Sequence, residues 1–152
     1  MSDNPRSTVR IAGHPIHPML VPFPIACFVG TLLTDITYAH TARMQWANFS
    51  VWLLTAGLVM AALAALAGVV DFLGDRRIRN LRAAWIHGTG NALAVLLSIV
   101  NVFVHSRDAY TSVVPTGLVL SAIVVLILLV TGWMGWEMVY RHHVGVAGED
   151  RP

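Results

Sequence analysis

Five of the seven histidines in this 152-residue chain lie beside the ends of long apolar segments. His14 and His17 precede the first segment, His87 lies near the start of the third, and His142 and His143 follow the fourth. In an antiparallel bundle of four helices these positions share one end. Imidazole binds transition-metal ions and haem iron, and it carries protons near neutral pH. The spacing therefore predicts a histidine site at one end of a membrane bundle.

The elements that would position these side chains are four windows without Asp, Glu, Lys or Arg. The windows have 24, 27, 24 and 28 residues and lie between Arg10 and Asp35, Arg43 and Asp71, Arg82 and Arg107, and Asp108 and Glu137. Each is longer than the roughly 20 residues that an α-helix needs to cross a bilayer. With 56% hydrophobic and 12% charged residues, the chain is too apolar for a soluble domain of this length. We therefore predict an all-α fold, an integral membrane four-helix bundle. Its spans should cover about 19–39, 50–73, 83–105 and 115–140.

The arginines orient this bundle. All ten basic residues are Arg, and only Arg43 and Arg107 fall on the side opposite the histidines. The other eight are Arg6, Arg10, Arg76, Arg77, Arg79, Arg82, Arg141 and Arg151. Such an excess marks the cytoplasmic face, so we expect a multi-pass protein of the bacterial inner membrane with both termini in the cytoplasm. We divide the chain into a flexible cytoplasmic N-terminus (1–13), a membrane domain (14–143) and a cytoplasmic tail (144–152). The lone Cys27 excludes a disulfide framework, and we expect no removable signal peptide.

Small and polar residues recur at helical spacing within the spans. The third span carries His87, Asn91, Ala94, Ser98, Asn101 and His105 on one stripe. The second carries Gly57, Ala61, Ala64 and Gly68 and ends at Asp71 and Asp75; the fourth carries Gly117, Ser121, Thr131 and Gly135. The first offers Pro24, Cys27, Thr31, Asp35 or Thr34, and Tyr38. Lipid does not tolerate a polar stripe, so we expect these faces to pack against the other helices.

Four motifs give the chain a family resemblance. They are Gly-His-Pro-Ile-His-Pro-Met-Leu-Val-Pro-Phe-Pro-Ile-Ala (13–26), the Gly68–Asp71 stretch, the His87 and Asn91 pair, and Val-Tyr-Arg-His-His-Val-Gly-Val (139–146). Over about residues 11–146 the chain resembles a bacterial family of small four-helix inner-membrane proteins known as domain of unknown function 2231. Some relatives carry Rieske or cytochrome c-type domains, so the resemblance implies membrane redox work. Pro22 stands where many members have His, and His143 where many have Gly, which makes His142 the motif position.

The residue types suit a b-type haem, which needs inward imidazoles, small neighbours and cations near its propionates. We expect His87 to be one axial ligand, with His17 as the opposite ligand and His142 as the next candidate. His14 and Asn91 complete the expected pocket, and Asp71 would orient an imidazole as a hydrogen-bond partner. Gly68, Gly88, Gly90 and Gly135 would provide room. Arg79, Arg82 and Arg141, with Arg76 and Arg77, would face the propionates. The expected function is electron transfer with a membrane redox partner.

Two other functions remain open at this point. The same histidines with Asp71 and Glu137 could form a transition-metal or proton site of a transport or sensing protein. Alternatively, the chain is a non-catalytic assembly factor whose polar side chains make structural hydrogen bonds only. A second copy of the chain could pack on the face that carries Gly132 and Trp136.

Other chemistries have little support in the sequence. There is no dinucleotide fingerprint, P-loop, nucleophile elbow or zinc-protease motif, and the basic loop at 76–82 suits anionic lipid better than nucleic acid. We therefore favour an electron-transfer or binding protein over a stand-alone enzyme. A second haem on His105 would sit at the outer rim, about 27 Å from His87 along the helix. We expect His40 and His105 to form an ordinary interfacial cluster.

Overall fold

The computed structural model describes residues 4–107 and 109–146. The sequence predictions for residues 1–3, Asp108 and 147–152, including Arg151, lie outside these described residues. A short hairpin of β1 (Arg10–Ile11) and β2 (His14–Pro15) comes first, with Ile11 opposite His14. The elements that follow are α1 (Ile16–Leu20), α2 (Pro22–Thr41), α3 (Met44–Gly74), α4 (Arg76–Arg79), α5 (Arg82–His105), a 3₁₀ helix (Ala109–Ser112) and α6 (Thr116–Tyr140).

Within the described residues, four segments are long and apolar enough to cross a membrane. They are Ile16–Thr41, Met44–Gly74, Arg82–His105 and Tyr110–Tyr140. This confirms the predicted all-α, four-span architecture. The long helices form a ring in which α2 packs against α3 and α6, and α5 packs against α3 and α6.

The helix boundaries follow local sequence. Pro22 occupies the first turn of α2, where its missing N–H breaks no helical hydrogen bond. Ala42 adopts a left-handed conformation that ends α2, and its N–H bonds the carbonyl of Tyr38. The next helix begins at Met44 rather than near residue 50, because the segment between contains helix formers and lacks Gly and Pro. At 31 residues, α3 is about 46 Å long, which exceeds the roughly 30 Å hydrocarbon layer.

An apolar layer fills the middle of the bundle. Phe28, Leu54, Ala61, Ala94 and Val124 form its buried core. The Phe28 ring fits closely because residue 57 of α3 is Gly: a Cβ there would lie 2.8 Å from the ring. Large apolar side chains on the outer faces remain exposed, as a lipid-facing surface requires. Two groups of interhelical polar contacts lie at different levels, one on each side of this core.

Candidate histidine site

The first polar layer contains a pair of imidazoles. His17 lies in α1 and His87 lies in the second turn of α5; their ring centroids are 6.0 Å apart and their planes are nearly perpendicular. Nδ1 of His17 lies 2.7 Å from the carbonyl oxygen of Ala64, and Nδ1 of His87 lies 2.8 Å from that of Thr131. Because a carbonyl only accepts, each Nδ1 must be the donor. Each neutral ring therefore carries its lone pair on Nε2, the atom that ligates a metal.

Two of the predicted glycines make room for these rings. A Cβ on Gly68 would lie 2.9 Å from both Cε1 and Nδ1 of His17, and a Cβ on Gly135 would lie 3.2 Å from Cε1 of His87. Gly90 faces Thr131, whereas a Cβ on Gly88 would meet nothing within 4 Å. The glycines of α3 and α6 at this level therefore accommodate the imidazoles themselves.

Asn91 holds the α5–α6 contact beside His87. Its Nδ2 donates to the carbonyl oxygen of His87 at 2.8 Å, and its Oδ1 accepts from the Thr131 hydroxyl at 3.2 Å. Since the carbonyl of Thr131 orients the His87 ring, Asn91 acts on the imidazole through its neighbour. It is a positioning residue and not a ligand in this arrangement.

The other three histidines of the predicted cluster are exposed. His14 lies in β2, and His143 follows α6 with a positive φ. The side chain of His142 is 40% exposed, and its Nε2 lies 3.9 Å from Glu137. In residues 4–107 and 109–146, no group of three or more His, Cys, Asp or Glu side chains is arranged to hold a metal ion. The structure thus reduces the predicted five-histidine cluster to one half-buried pair.

Asp71 contacts the N-terminal segment and not an imidazole. Its oxygens accept from the hydroxyl of Ser7 at 3.0 Å and from the backbone N–H groups of Thr8 and Val9 at 2.6 and 2.9 Å. The predicted orienting role of Asp71 is therefore wrong for this geometry, because its hydrogen-bond partners among the described residues are Ser7, Thr8 and Val9. Part of the segment predicted to be flexible is instead held on the end of α3.

A second carboxylate, one helical turn later, adds to this contact. Asp75 accepts from the backbone N–H of Arg6 at 3.0 Å and from that of Arg77 at 2.9 Å. Burial opposes ionisation of this carboxyl, but the two backbone hydrogen bonds and the Arg77 guanidinium outweigh it and lower its pKa to about 2. The C-terminal segment joins the same end, because the N–H of Gly145 donates to the carbonyl of Pro5 at 2.8 Å. The described parts of the N- and C-terminal segments therefore meet at the end of the bundle that carries the histidine pair.

The predicted propionate arginines differ in their surroundings. The guanidinium of Arg79 donates to the carbonyls of Phe72 and Leu73 at the end of α3. Arg141 lies 3.5 Å from Glu137, and Arg82 is exposed at the start of α5. Arg82 is consequently the one of these three with no competing contact among the described residues.

The second polar layer lies on the other side of the apolar core and joins residues whose inward faces were predicted but whose pairing was not. His105 Nε2 lies 2.9 Å from Asp35 Oδ1, Ser121 donates to Asp35 Oδ2 at 2.6 Å, and Asn101 Nδ2 donates to Ser121 at 2.9 Å. The prediction of an ordinary interfacial cluster is wrong for His105, whose side chain is 0% exposed, as is that of Asp35. His40 is exposed. The available signal was Asp35 itself, since α2 continues beyond it to Thr41 and so encloses a carboxylate within a span.

The comparisons with known proteins agree with this membrane architecture. The model of a family described as predicted membrane protein, DUF2231, matches residues 13–148, and the chain therefore belongs to that family. Neither the curated proteins nor the solved structures gave a significant match to the chain. Family membership confirms the resemblance seen in the sequence and leaves the function to be argued from the site.

Proposed function

We propose that this member of the DUF2231 family binds one b-type haem through His17 and His87 and serves membrane electron transfer. The observation that carries the proposal is the orientation of the two rings. Each imidazole is tied through Nδ1 to a backbone carbonyl of a neighbouring helix, α3 for His17 and α6 for His87. This arrangement fixes the tautomer whose Nε2 is available for iron.

The number of ligands favours haem over a bare metal ion. Structural zinc takes four protein ligands, and even catalytic zinc takes three. Haem iron takes its equatorial ligands from the macrocycle and needs only one or two from the protein. The described residues offer two imidazoles at this position and no group of three candidate ligands. A pair of histidines is therefore sufficient for haem and insufficient for zinc.

The surrounding residues have separate roles in this proposal. Gly68 and Gly135 leave space for the two rings, and Thr131 with Asn91 fixes the direction of His87. Arg82, exposed and five positions before His87, is suited to a propionate, whereas Arg79 caps α3. Haem supplies one-electron chemistry, and its potential depends on the axial ligands and on burial. His142 is not a ligand in this proposal because it is exposed and near Glu137.

We also propose that the histidine end faces the cytoplasm of a bacterial inner membrane. The described parts of the N- and C-terminal segments lie at this end, and eight of the ten arginines belong to it by sequence position. The excess of Arg on one side supports this orientation. A reporter active only in the periplasm should be inactive when fused to the C-terminus and active when fused after Arg43. The opposite pattern would reverse the orientation.

Optical spectroscopy tests the haem proposal. Protein purified in detergent from haem-replete cells should show a Soret band that shifts on reduction with dithionite. His17→Ala and His87→Ala should each abolish or strongly change this band, while His142→Ala, the exposed control, should leave it unchanged. All three variants should insert, since one imidazole contributes little to the hydropathy of a span.

Each other outcome points to a different function. Bound metal without a Soret band would indicate a transition-metal site and not a haem site. The absence of both metal and haem from the purified protein would favour the assembly-factor alternative, in which the imidazoles make structural hydrogen bonds only. A wild-type spectrum in both His17→Ala and His87→Ala would refute the ligand assignment even if haem is bound.

A further inference from the structure

In the buried layer formed by Asp35, Asn101, His105 and Ser121, the hydrogen bonds determine which polar atoms carry a hydrogen. Nδ1 of His105 lies 2.9 Å from the backbone carbonyl oxygen of Asn101 and 3.1 Å from its Oδ1. Since the backbone carbonyl can only accept, Nδ1 of His105 carries a hydrogen. This conclusion holds for either orientation of the Asn101 amide.

The hydrogen bonds of Asp35 determine where the remaining hydrogens of this layer lie. Ser121 accepts from Nδ2 of Asn101 and donates its own hydrogen to Oδ2 of Asp35. Nε2 of His105 and Oδ1 of Asp35 then face each other at 2.9 Å. Without a hydrogen between them, two lone pairs would be opposed. With one hydrogen, the pair is neutral overall, as either imidazolium with carboxylate or imidazole with carboxylic acid.

We propose that Asp35 and His105 form a proton-binding site that holds one exchangeable proton between Oδ1 and Nε2 within the membrane domain. The ligand is a proton delivered by water from the end of the bundle at which α2 joins α3. This proposal does not depend on haem binding at the other end. Ionisable groups inside a membrane span are costly, and they mark proton or ion pathways more often than packing.

Few other titratable groups surround the pair. Helix α2 contributes Asp35, α5 contributes His105, and α6 contributes the non-titratable Gly117 and Ser121. From the adjoining loop, the ring of Tyr110 lies 5.8 Å from that of the buried Tyr38. The arginines of this end, Arg43 and Arg107, are exposed. No cation of the described residues is hydrogen-bonded to Asp35 apart from His105 itself, so loss of the proton would leave a buried negative charge.

In this proposal, water reaches the site at Ser112. Among the described residues, its hydroxyl is the buried side-chain polar atom without a hydrogen-bond partner. The Ser112 carbonyl oxygen and Cε1 of His105 lie 3.2 and 2.7 Å from the position that a Cβ on Gly117 would take. The 3₁₀ helix that ends at Ser112 thus lies next to the imidazole. A buried hydroxyl without a protein partner is a place where water binds.

The same contacts exclude nucleophilic catalysis by Ser121. In a catalytic triad the imidazole stands between the hydroxyl and the carboxylate and removes the hydroxyl proton. Here the carboxylate of Asp35 stands between Ser121 and His105. The hydroxyl therefore supports the carboxylate and is not activated.

Asp35→Asn separates proton binding from a structural role. An amide at residue 35 can donate to Nε2 of His105 and accept from Ser121, so every hydrogen bond of the layer is kept while the exchangeable proton is removed. Asp35→Ala removes both. We expect the Asn variant to unfold near the wild-type temperature and the Ala variant to be clearly less stable, because it leaves buried polar groups unpaired.

Nitrogen-15 NMR of histidine-labelled full-length protein in nanodiscs measures the proton directly. The measurement covers about pH 4 to about pH 10, which includes and extends past the range in which Asp and His ordinarily titrate. Over this range the Nε2 resonance of His105 should shift in the wild type. In Asp35→Asn it should remain that of an unprotonated acceptor. The resonance is assigned by its loss in His105→Gln. An Nε2 resonance in the wild type that neither shifts nor responds to deuterated solvent would overturn the proposal, as would identical titrations of the wild type and Asp35→Asn.

Ser121→Ala provides a second test if Asp35→Asn does not fold. Removing the hydroxyl that donates to Oδ2 changes the hydrogen bonding of the Asp35 carboxylate, so the pH midpoint of the His105 signal should differ from that of the wild type. A midpoint equal to that of the wild type would contradict the proposal.

Discussion

The close packing of His17 on Gly68 predicts that one methyl group at position 68 disturbs the histidine pair. The Cβ in Gly68→Ala would lie 2.9 Å from Cε1 and Nδ1 of His17, whereas carbon atoms in contact prefer about 3.5–4.0 Å. The ring must therefore move by about 0.6–1.1 Å, which lengthens its 2.7 Å hydrogen bond to Ala64. Overpacking of this kind costs about 1–3 kcal/mol. If the haem complex is destabilised by this same free energy, the haem affinity falls by about 5- to 150-fold.

Gly88→Ala is the matched control for this substitution. It makes the same change in helix α5, one residue from His87, but its Cβ would meet nothing within 4 Å. Both variants gain helix propensity of about 1 kcal/mol, so any difference between them reports the contact with the ring. Haem titration followed by Soret absorbance and thermal unfolding of the haem-free protein should both show Gly68→Ala to be impaired relative to Gly88→Ala. Equal affinities and equal unfolding temperatures would refute the reasoning.

Three further predictions concern residues around the site. Asp71→Asn should weaken the anchoring of the N-terminal segment, because a neutral amide accepts hydrogen bonds less strongly than a carboxylate; limited proteolysis should cut before Arg10 faster than in the wild type. Asp75 has a pKa lowered to about 2 from 3.8, so its stabilisation is complete above about pH 4 and is lost as the pH falls through 2. In the wild type, hydrogen exchange at the Arg6 amide should accelerate as the pH falls through that window. In Asp75→Asn, the exchange should show no such acceleration. Asn91→Ala should lower stability by about 0.5–1.5 kcal/mol through its lost bond to α6, as measured by thermal unfolding.

The number of spans and the inward position of His87 could be predicted because the bilayer imposes them. A window without charged residues and a polar stripe with helical period each have one stable arrangement in lipid. The start of α3 at Met44 was harder to predict, since a helix that leaves the hydrocarbon layer is no longer limited to apolar residues. His14 and His142 were misjudged for a related reason. They lie outside the spans, where no period constrains the direction of a side chain.

Contacts between distant segments were also beyond the sequence pattern. Asp71 lies on the predicted inner face of α3, but which donors reach it depends on the path of the chain before α1. The pairing of Asp35 with His105 depends on the relative depth of α2 and α5, and the imidazole also packs closely against Gly117 of α6. The helical period predicts on which face of its helix a residue lies. It does not predict which residue of another helix this side chain contacts.

The two polar layers are separate units of one bundle. His87 and His105 lie 18 positions apart on α5, which is about 27 Å at 1.5 Å per residue. At that distance, with an effective dielectric constant of about 20, two unit charges interact by only about 0.6 kcal/mol, less than a threefold change in an equilibrium constant. The apolar core around Phe28 and Leu54 stands between the layers, and within residues 4–107 and 109–146 no chain of hydrogen bonds joins them. A change of charge at the histidine pair therefore has little direct effect on the proton held by Asp35 and His105, and each site has to be understood from the residues of its own layer.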